Sequence, residues 1–130
     1  AKRLATALEI NDRVTFTGHI PPEQLSATLQ EHHLFILPTD AETFGVAFAE
    51  ALAVGLPVVT SGMGGHLDFL PQESFQWADK TPIALANAVL TLVDDPARWS
   101  AEKIVAYAQA TFSEKTRQTQ YQEVYARVFP

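Results

Sequence analysis

Leu34-Phe35-Ile36-Leu37-Pro38 is an unbroken apolar run, and Pro57-Val58-Val59-Thr60-Ser61 repeats the pattern further along the chain. An apolar run without polar alternation marks a strand covered on both faces, as in a parallel sheet. The stretch between them predicts a helix over Phe44 to Val54, ended by Gly55 and Pro57. Upstream, Val14-Thr15-Phe16-Thr17-Gly18 is β-branched and aromatic and predicts a further strand. Pro21-Pro22-Glu23 then opens a helix whose inner face carries Leu25 and Leu29. Phe75-Gln76-Trp77 predicts one more, shorter strand. Strands and helices alternating at roughly 20-residue intervals predict βαβ units, and so an α/β, Rossmann-like parallel sheet with flanking helices.

The rest of the chain reads as helical. Ile83, Ala86, Val89, Leu90 and Val93 predict one apolar stripe. Asp95-Pro96 predicts the start of the next helix, and Ser113 caps the last one. In that last helix Tyr121, Val124, Tyr125, Val128 and Phe129 follow helical spacing. Packing of this stripe on its own domain is the first expectation, and docking on a partner domain the second.

The chain has 130 residues, 47% hydrophobic and 18% charged, which fits one globular domain over residues 1–130. Cysteine is absent, which excludes disulfides, thiolate metal sites and thiol catalysis and fits a reducing, cytoplasmic setting. The net charge of -6 argues against nucleic acid and against an anionic membrane surface as the main partner. No apolar run approaches the roughly 20 residues that cross a bilayer.

Ligands of open parallel sheets sit beyond the carboxyl ends of the strands. That directs attention to the loops 18–22, 38–44 and 61–68. Glu42 lies where a strand-end loop turns into a helix, and Glu50 lies two turns on. Between them Phe44, Gly45 and Val46 would present backbone N–H groups at the positive end of that helix, which suits a phosphate. A carboxylate accepts two hydrogen bonds and so suits a vicinal diol. Taken alone, the same two acids also read as a first-turn dipole partner and a salt-bridge residue. Of the four histidines none has a metal-ligand spacing. His32-His33 predicts a helix C-terminus, and His66 reads either as a wall of the cleft or as a structural side chain. Ser61 lacks a nucleophile elbow, and no Walker loop or dinucleotide fingerprint is present.

The series Leu37-Pro38-Thr39, Glu42-x-Phe44-Gly45, Glu50-Ala51-Leu52-Ala53-x-Gly55-x-Pro57-Val58-Val59 and Gly64-Gly65 resembles the carboxy-terminal domain of GT-B-fold retaining glycosyltransferases. The family is glycosyltransferase family 4, or group 1, which includes sucrose and sucrose-phosphate synthases. The resemblance runs from about Leu4 to Phe129 and includes Val14-x-Phe16-x-Gly18 and Tyr125. It implies a partial GT-B carboxy-terminal domain that binds a nucleotide-diphosphate sugar, for a transfer that retains anomeric configuration. It implies that Glu42 binds donor-sugar hydroxyls as the catalytic-site acid. It implies that Phe44, Gly45 and Val46 meet sugar and diphosphate through their backbone, and that Glu50 holds the ribose. It places the base near Gly18, His19, Ile20 and Pro38, with Gly64 and Gly65 as a tight turn beside the cleft. No metal and no cofactor other than the donor substrate is implied. Asp68 stands where the family usually has Glu.

Between Val14 and Asp79 there is no Lys or Arg, against eight acids. A leaving diphosphate needs positive charge. Lys80, Arg98 and Arg13 are the candidates within the chain. The family supplies this charge from an Arg and a Lys near the start of the same domain, ahead of the segment matching Ala1. The resemblance therefore implies the tail of a longer enzyme, missing the domain's first two strands and the amino-terminal acceptor domain, and inactive alone. The alternative is a non-catalytic nucleotide-binding or interaction module, either a truncated remnant or half of a split enzyme. Without those first strands, 14–18 is expected to lack a link to 34–38, leaving a rearranged sheet or open edges. Membrane attachment, acceptor and sugar identity would be set by the absent part.

Overall fold

The computed structural model describes residues 1–96 and 99–128. In chain order it has α1 (Lys2–Ala7), a 3-10 turn (Asn11–Arg13), α2 (Pro22–Gln30), β1 (Phe35–Leu37), β2 (Ala41–Glu42), α3 (Val46–Ala53) and β3 (Val58–Thr60). Then come β4 (Met63–Gly64), a second 3-10 turn (Gly65–Asp68), β5 (Phe75–Trp77), α4 (Pro82–Asp94), α5 (Ala101–Phe112) and α6 (Glu114–Val128). The fold is α/β and Rossmann-like, with parallel sheets, flanking helices and a helical carboxy-terminal part.

The main sheet has three parallel strands in the order β1-β3-β5, with Ile36 opposite Val59 and Val59 opposite Gln76. β3 is the middle strand, and Val58, Val59 and Thr60 are fully buried. Successive strand side chains point to opposite faces, so this one strand feeds two cores. Val58 packs with Phe48 and Leu52 of α3 and with Ile104 and Ala108 of α5. Val59 packs with Ala78 and with Ala88 and Leu92 of α4. The sheet is thus covered on both faces, as its unbroken apolar runs require.

Four expectations are corrected. Val14–Gly18 is not a strand: it has no ladder partner, and Phe16 is 41% exposed. A β-prone sequence becomes a strand only where it pairs with an edge, and among the described residues this segment does not join the open edge of β1. The α4 stripe is in a different phase. Ala88 and Leu92 are buried with Leu85 and Val89 beside them, whereas Ile83, Leu90 and Val93 are exposed. Helix α5 starts after Ser100, whose hydroxyl accepts from the Lys103 N–H at 3.2 Å, and Asp95 instead ends α4. On α6, Tyr121, Val124, Tyr125 and Val128 are all more than half exposed, and Phe129 lies outside the described residues. Ser113 does cap α6, its hydroxyl accepting from the Thr116 N–H at 3.2 Å. Among the described residues no helix is long and apolar enough to cross a membrane.

Candidate functional site at the carboxyl edge of the sheet

β1 and β3 are parallel neighbours, so the segments that leave them, 38–45 and 61–68, emerge from the same edge. They are knitted together there. β2 and β4 form a two-residue parallel ladder, Ala41 opposite Met63 and Glu42 opposite Gly64. The Ser61 hydroxyl donates to the Thr39 carbonyl at 2.8 Å, and the Met63 N–H donates to the Asp40 carbonyl at 3.3 Å. The glycine-rich stretch makes this approach feasible. A Cβ on Gly62, Gly64 or Gly65 would fall on the carbonyl oxygen of Thr39, Glu42 or Thr43 respectively. Only residues without a side chain fit between these backbones.

The start of α3 is also corrected. The helix begins at Val46, not Phe44, because Gly45 is its cap in the left-handed conformation, φ +81° and ψ +63°. The first N–H groups of a helix have no partner within it, and that end carries partial positive charge. Val46 and Ala47 stand at that end, with Gly45 just ahead of them. A side chain on Gly45 would lie 2.5 Å from the Phe48 ring and 3.2 Å from His66 Cβ.

Glu42 is half-buried, held by the ladder to Gly64. Phe44 turns its ring into an aromatic cluster, 4.8 Å from Phe69 and 6.2 Å from Phe112. Thr43, Phe44, Gly65 and Asp68 line one cavity of about 620 Å³ together with Arg117 of α6. Glu50 is exposed and lines two other grooves, one against Pro22 and Leu29 of the α2 side and one against Gln109 and Phe112 of α5. Gly18, His19 and Ile20 lie in the irregular segment before α2, and Pro38 is exposed just beyond β1. No hydrogen bond or ring contact joins these four to Glu42, Phe44 or Gly64. The predicted residues therefore fall into three groups: the knitted loops, Glu50 on the flank of α3, and the segment before α2.

The histidines separate cleanly. His32 Nδ1 lies 2.6 Å from the Thr28 carbonyl in the last turn of α2. His66 is fully buried, stacked on Phe48 with ring centroids 4.8 Å apart, so it is a structural side chain and not a wall of the cleft. Of the candidate cations, Lys80 is paired with Asp40, Arg13 ends the first 3-10 turn, and Arg98 lies outside the described residues. Arg117 was not among them. It sits on the first turns of α6 beyond the Ser113 cap and lines the cavity without an ion pair to Asp68. The Ser113 cap was visible in the sequence, but the direction α6 takes after it was not. Among the described residues no group of three His, Asp or Glu side chains is arranged to hold a metal ion.

Comparison with known proteins gives consistent results. The family model described as glycosyl transferases group 1 matches residues 1–111. A GDP-mannose-dependent phosphatidylinositol dimannoside mannosyltransferase of Mycobacterium tuberculosis is 36% identical over 98 residues, 75% of this chain and 25% of that protein. Sucrose-phosphate synthase of Thermosynechococcus elongatus superposes with a TM-score of 0.79 at 30% identity, over 98% of this chain and 33% of that one. The Anabaena protein HepE, solved in complex with UDP, shares the fold with a TM-score of 0.73 at 23% identity, over 97% of this chain and 35% of its own. The chain thus spans about a quarter to a third of the length of these proteins. With its residues 1–111 matched, its parallel α/β sheet and its knitted strand-end loops, the chain belongs to the glycosyl transferases group 1 family.

Proposed function

We propose that this chain is the donor-binding portion of a sugar transferase that takes a hexose from a nucleotide-diphosphate sugar and retains its anomeric configuration. The observation that carries the reading is the meeting of Glu42, the α3 amino-terminus and the Gly64-Gly65 turn at one sheet edge. In this reading Glu42 accepts hydrogen bonds from the donor sugar, fixing its orientation. Backbone N–H groups at Gly45 and Val46 meet the diphosphate, where the helix end supplies partial positive charge. Glu50 holds the ribose diol. The base lies toward Gly18, His19, Ile20 and Pro38. As the sugar–phosphate bond breaks, the leaving diphosphate gains charge, and Arg117, which lines a cavity with Thr43 and Phe44, supplies a full positive charge. An acceptor-binding part completes the site, and these 130 residues bind the donor without transferring it.

The test is calorimetric titration of the 130-residue chain with uridine, guanosine and adenosine diphosphates in turn. Saturable binding of one of them, weakened by Glu50→Gln, is expected. A folded chain that binds none of the three overturns the reading. The absence of Lys and Arg from Val14 to Asp79 favours a second reading, a nucleotide-binding or interaction module without transfer. Adding the amino-terminal half of a relative separates the two: sugar transfer by the pair supports the first, and binding without transfer the second.

A further inference from the structure

His66 meets several parts of the site's framework at once. Its ring lies nearly parallel to that of Phe48 in α3, 14° between planes. Its Cβ is the wall that a side chain on Gly45 would meet at 3.2 Å. Its Nε2 lies 3.2 Å from the Thr60 hydroxyl at the end of β3. That hydroxyl also lies 3.2 Å from the Ser61 carbonyl and 3.4 Å from the Leu37 carbonyl at the end of β1. One side chain thus touches α3 and the α3 cap, and reaches the ends of β1 and β3 through Thr60. His66 itself follows the Gly64-Gly65 turn.

Nδ1 of His66 is buried and has no hydrogen-bond partner. If His66 only filled space, a phenylalanine or leucine would do so without leaving a polar atom unpaired, and such atoms in native cores call for a reason. The hydrogen-bond inventory supplies one. The Thr60 hydroxyl has a single proton and two carbonyl acceptors. When it donates to a carbonyl, the ring must donate from Nε2 to the hydroxyl oxygen. Nδ1 then carries a lone pair, which leaves no buried N–H unpaired. The opposite tautomer would bury a donor without an acceptor, the rarer state in folded proteins.

We infer that His66 is a positioning residue: through its Nε2–H bond to Thr60 and its stack on Phe48 it fixes the α3 cap and the Gly64-Gly65 turn relative to the strand ends. The inference extends the donor-site reading, because a fixed cap and turn matter to function where a donor diphosphate binds them.

The test uses the 130-residue chain and the variants His66→Phe, Thr60→Val and Thr60→Ser. Amide hydrogen exchange needs no ligand. In His66→Phe and Thr60→Val, exchange is expected to accelerate about tenfold or more at Phe48 and Met63. Both amides are bonded within the site loops, the first to Gly45 and the second to Asp40. Exchange should stay unchanged at Val58, whose amide bonds the Ser74 carbonyl beside β5 within the main sheet. Thr60→Ser keeps the hydroxyl and should behave as the parent. Unchanged exchange at Phe48 and Met63 overturns the inference, as does uniform acceleration at all three amides. If His66→Phe fails to fold, the two Thr60 variants carry the same comparison. Affinity for the nucleoside diphosphate is expected to fall about tenfold in Thr60→Val and not in Thr60→Ser. A parent chain that binds no nucleoside diphosphate overturns the donor reading instead, and the exchange comparison still decides the role of His66.

Discussion

Glu42 and Gly64 face each other across a two-residue parallel ladder, so closely that a side chain on Gly64 would fall on the Glu42 carbonyl oxygen. The carboxylate proposed to hold the donor sugar is therefore placed by a backbone contact with a glycine. Gly64 also has φ +139°, which L side chains rarely adopt. Gly64→Ala should combine strain of about 1–3 kcal/mol with a backbone clash. Urea denaturation should show a loss of at least about 2 kcal/mol. A variant as stable as the parent would mean that the ladder does not form.

The ladder was not legible in the sequence, for a physical reason. Ala41, Glu42, Met63 and Gly64 have little strand propensity, and their pairing follows from clearance at three glycines. The strands Phe35–Leu37 and Val58–Thr60 were legible, because burial on both faces leaves an unbroken apolar run. Val14–Gly18 has the residues of a strand but pairs with no strand among the described residues, and composition does not report partners. The cap of α3 was misplaced by two residues because a left-handed Gly45 resembles a helical glycine until its dihedrals are known. Glu42, Phe44 and the Gly64-Gly65 turn lie in the loops that leave β1 and β3 at one sheet edge. The approach of Arg117 depended on the path after Ser113, which local sequence does not encode.

Helix α4 gives the sharpest contrast between pattern and phase. Its sequence is apolar nearly all round, so periodicity does not choose a face. The structure buries Leu92 fully and leaves Leu90 53% exposed. Leu92→Ala should cost about 2–5 kcal/mol, while Leu90→Ala should stay within about 0.5 kcal/mol. Paired urea titrations decide this, and a reversed order would restore the stripe through Ile83, Leu90 and Val93.

The Lys80–Asp40 pair links the segment after β5 to the loop before Glu42. Its side chains are 44% and 90% exposed, so solvent screens the attraction. Lys80→Met should change stability by less than about 1 kcal/mol, and the difference should shrink further at about 1 M salt. A larger or salt-insensitive loss in denaturation experiments would show that the pair holds the loop.

Arg117 is the one basic side chain lining the cavity shared with Thr43, Phe44 and Gly65, and it has no ion-pair partner among the described residues. Its exposure predicts that Arg117→Gln leaves stability within about 0.5 kcal/mol. Its charge predicts weaker binding of the nucleoside diphosphate and a shallower dependence of affinity on salt. Isothermal titrations at several salt concentrations test this. Parallel salt dependences for parent and variant would remove Arg117 from the site.

Glu42 and Glu50 stand in different settings, and the donor reading gives them different ligands. Glu42 is half-buried in the ladder with Gly64, whereas Glu50 is exposed on the flank of α3. A hydrogen bond to a charged group is worth about 1.5–3 kcal/mol net, so losing one weakens binding roughly ten- to a hundredfold. If Glu50 holds the ribose, Glu50→Gln weakens the nucleoside diphosphate and its hexose ester by the same factor. If Glu42 holds the sugar, Glu42→Gln leaves the free diphosphate unchanged and weakens only the hexose ester. Both replacements keep side-chain size, so the fold is retained and the comparison reads contacts. Calorimetry with both ligands on both variants gives four affinities. Equal losses for both ligands with Glu42→Gln would move Glu42 from the sugar to the nucleotide.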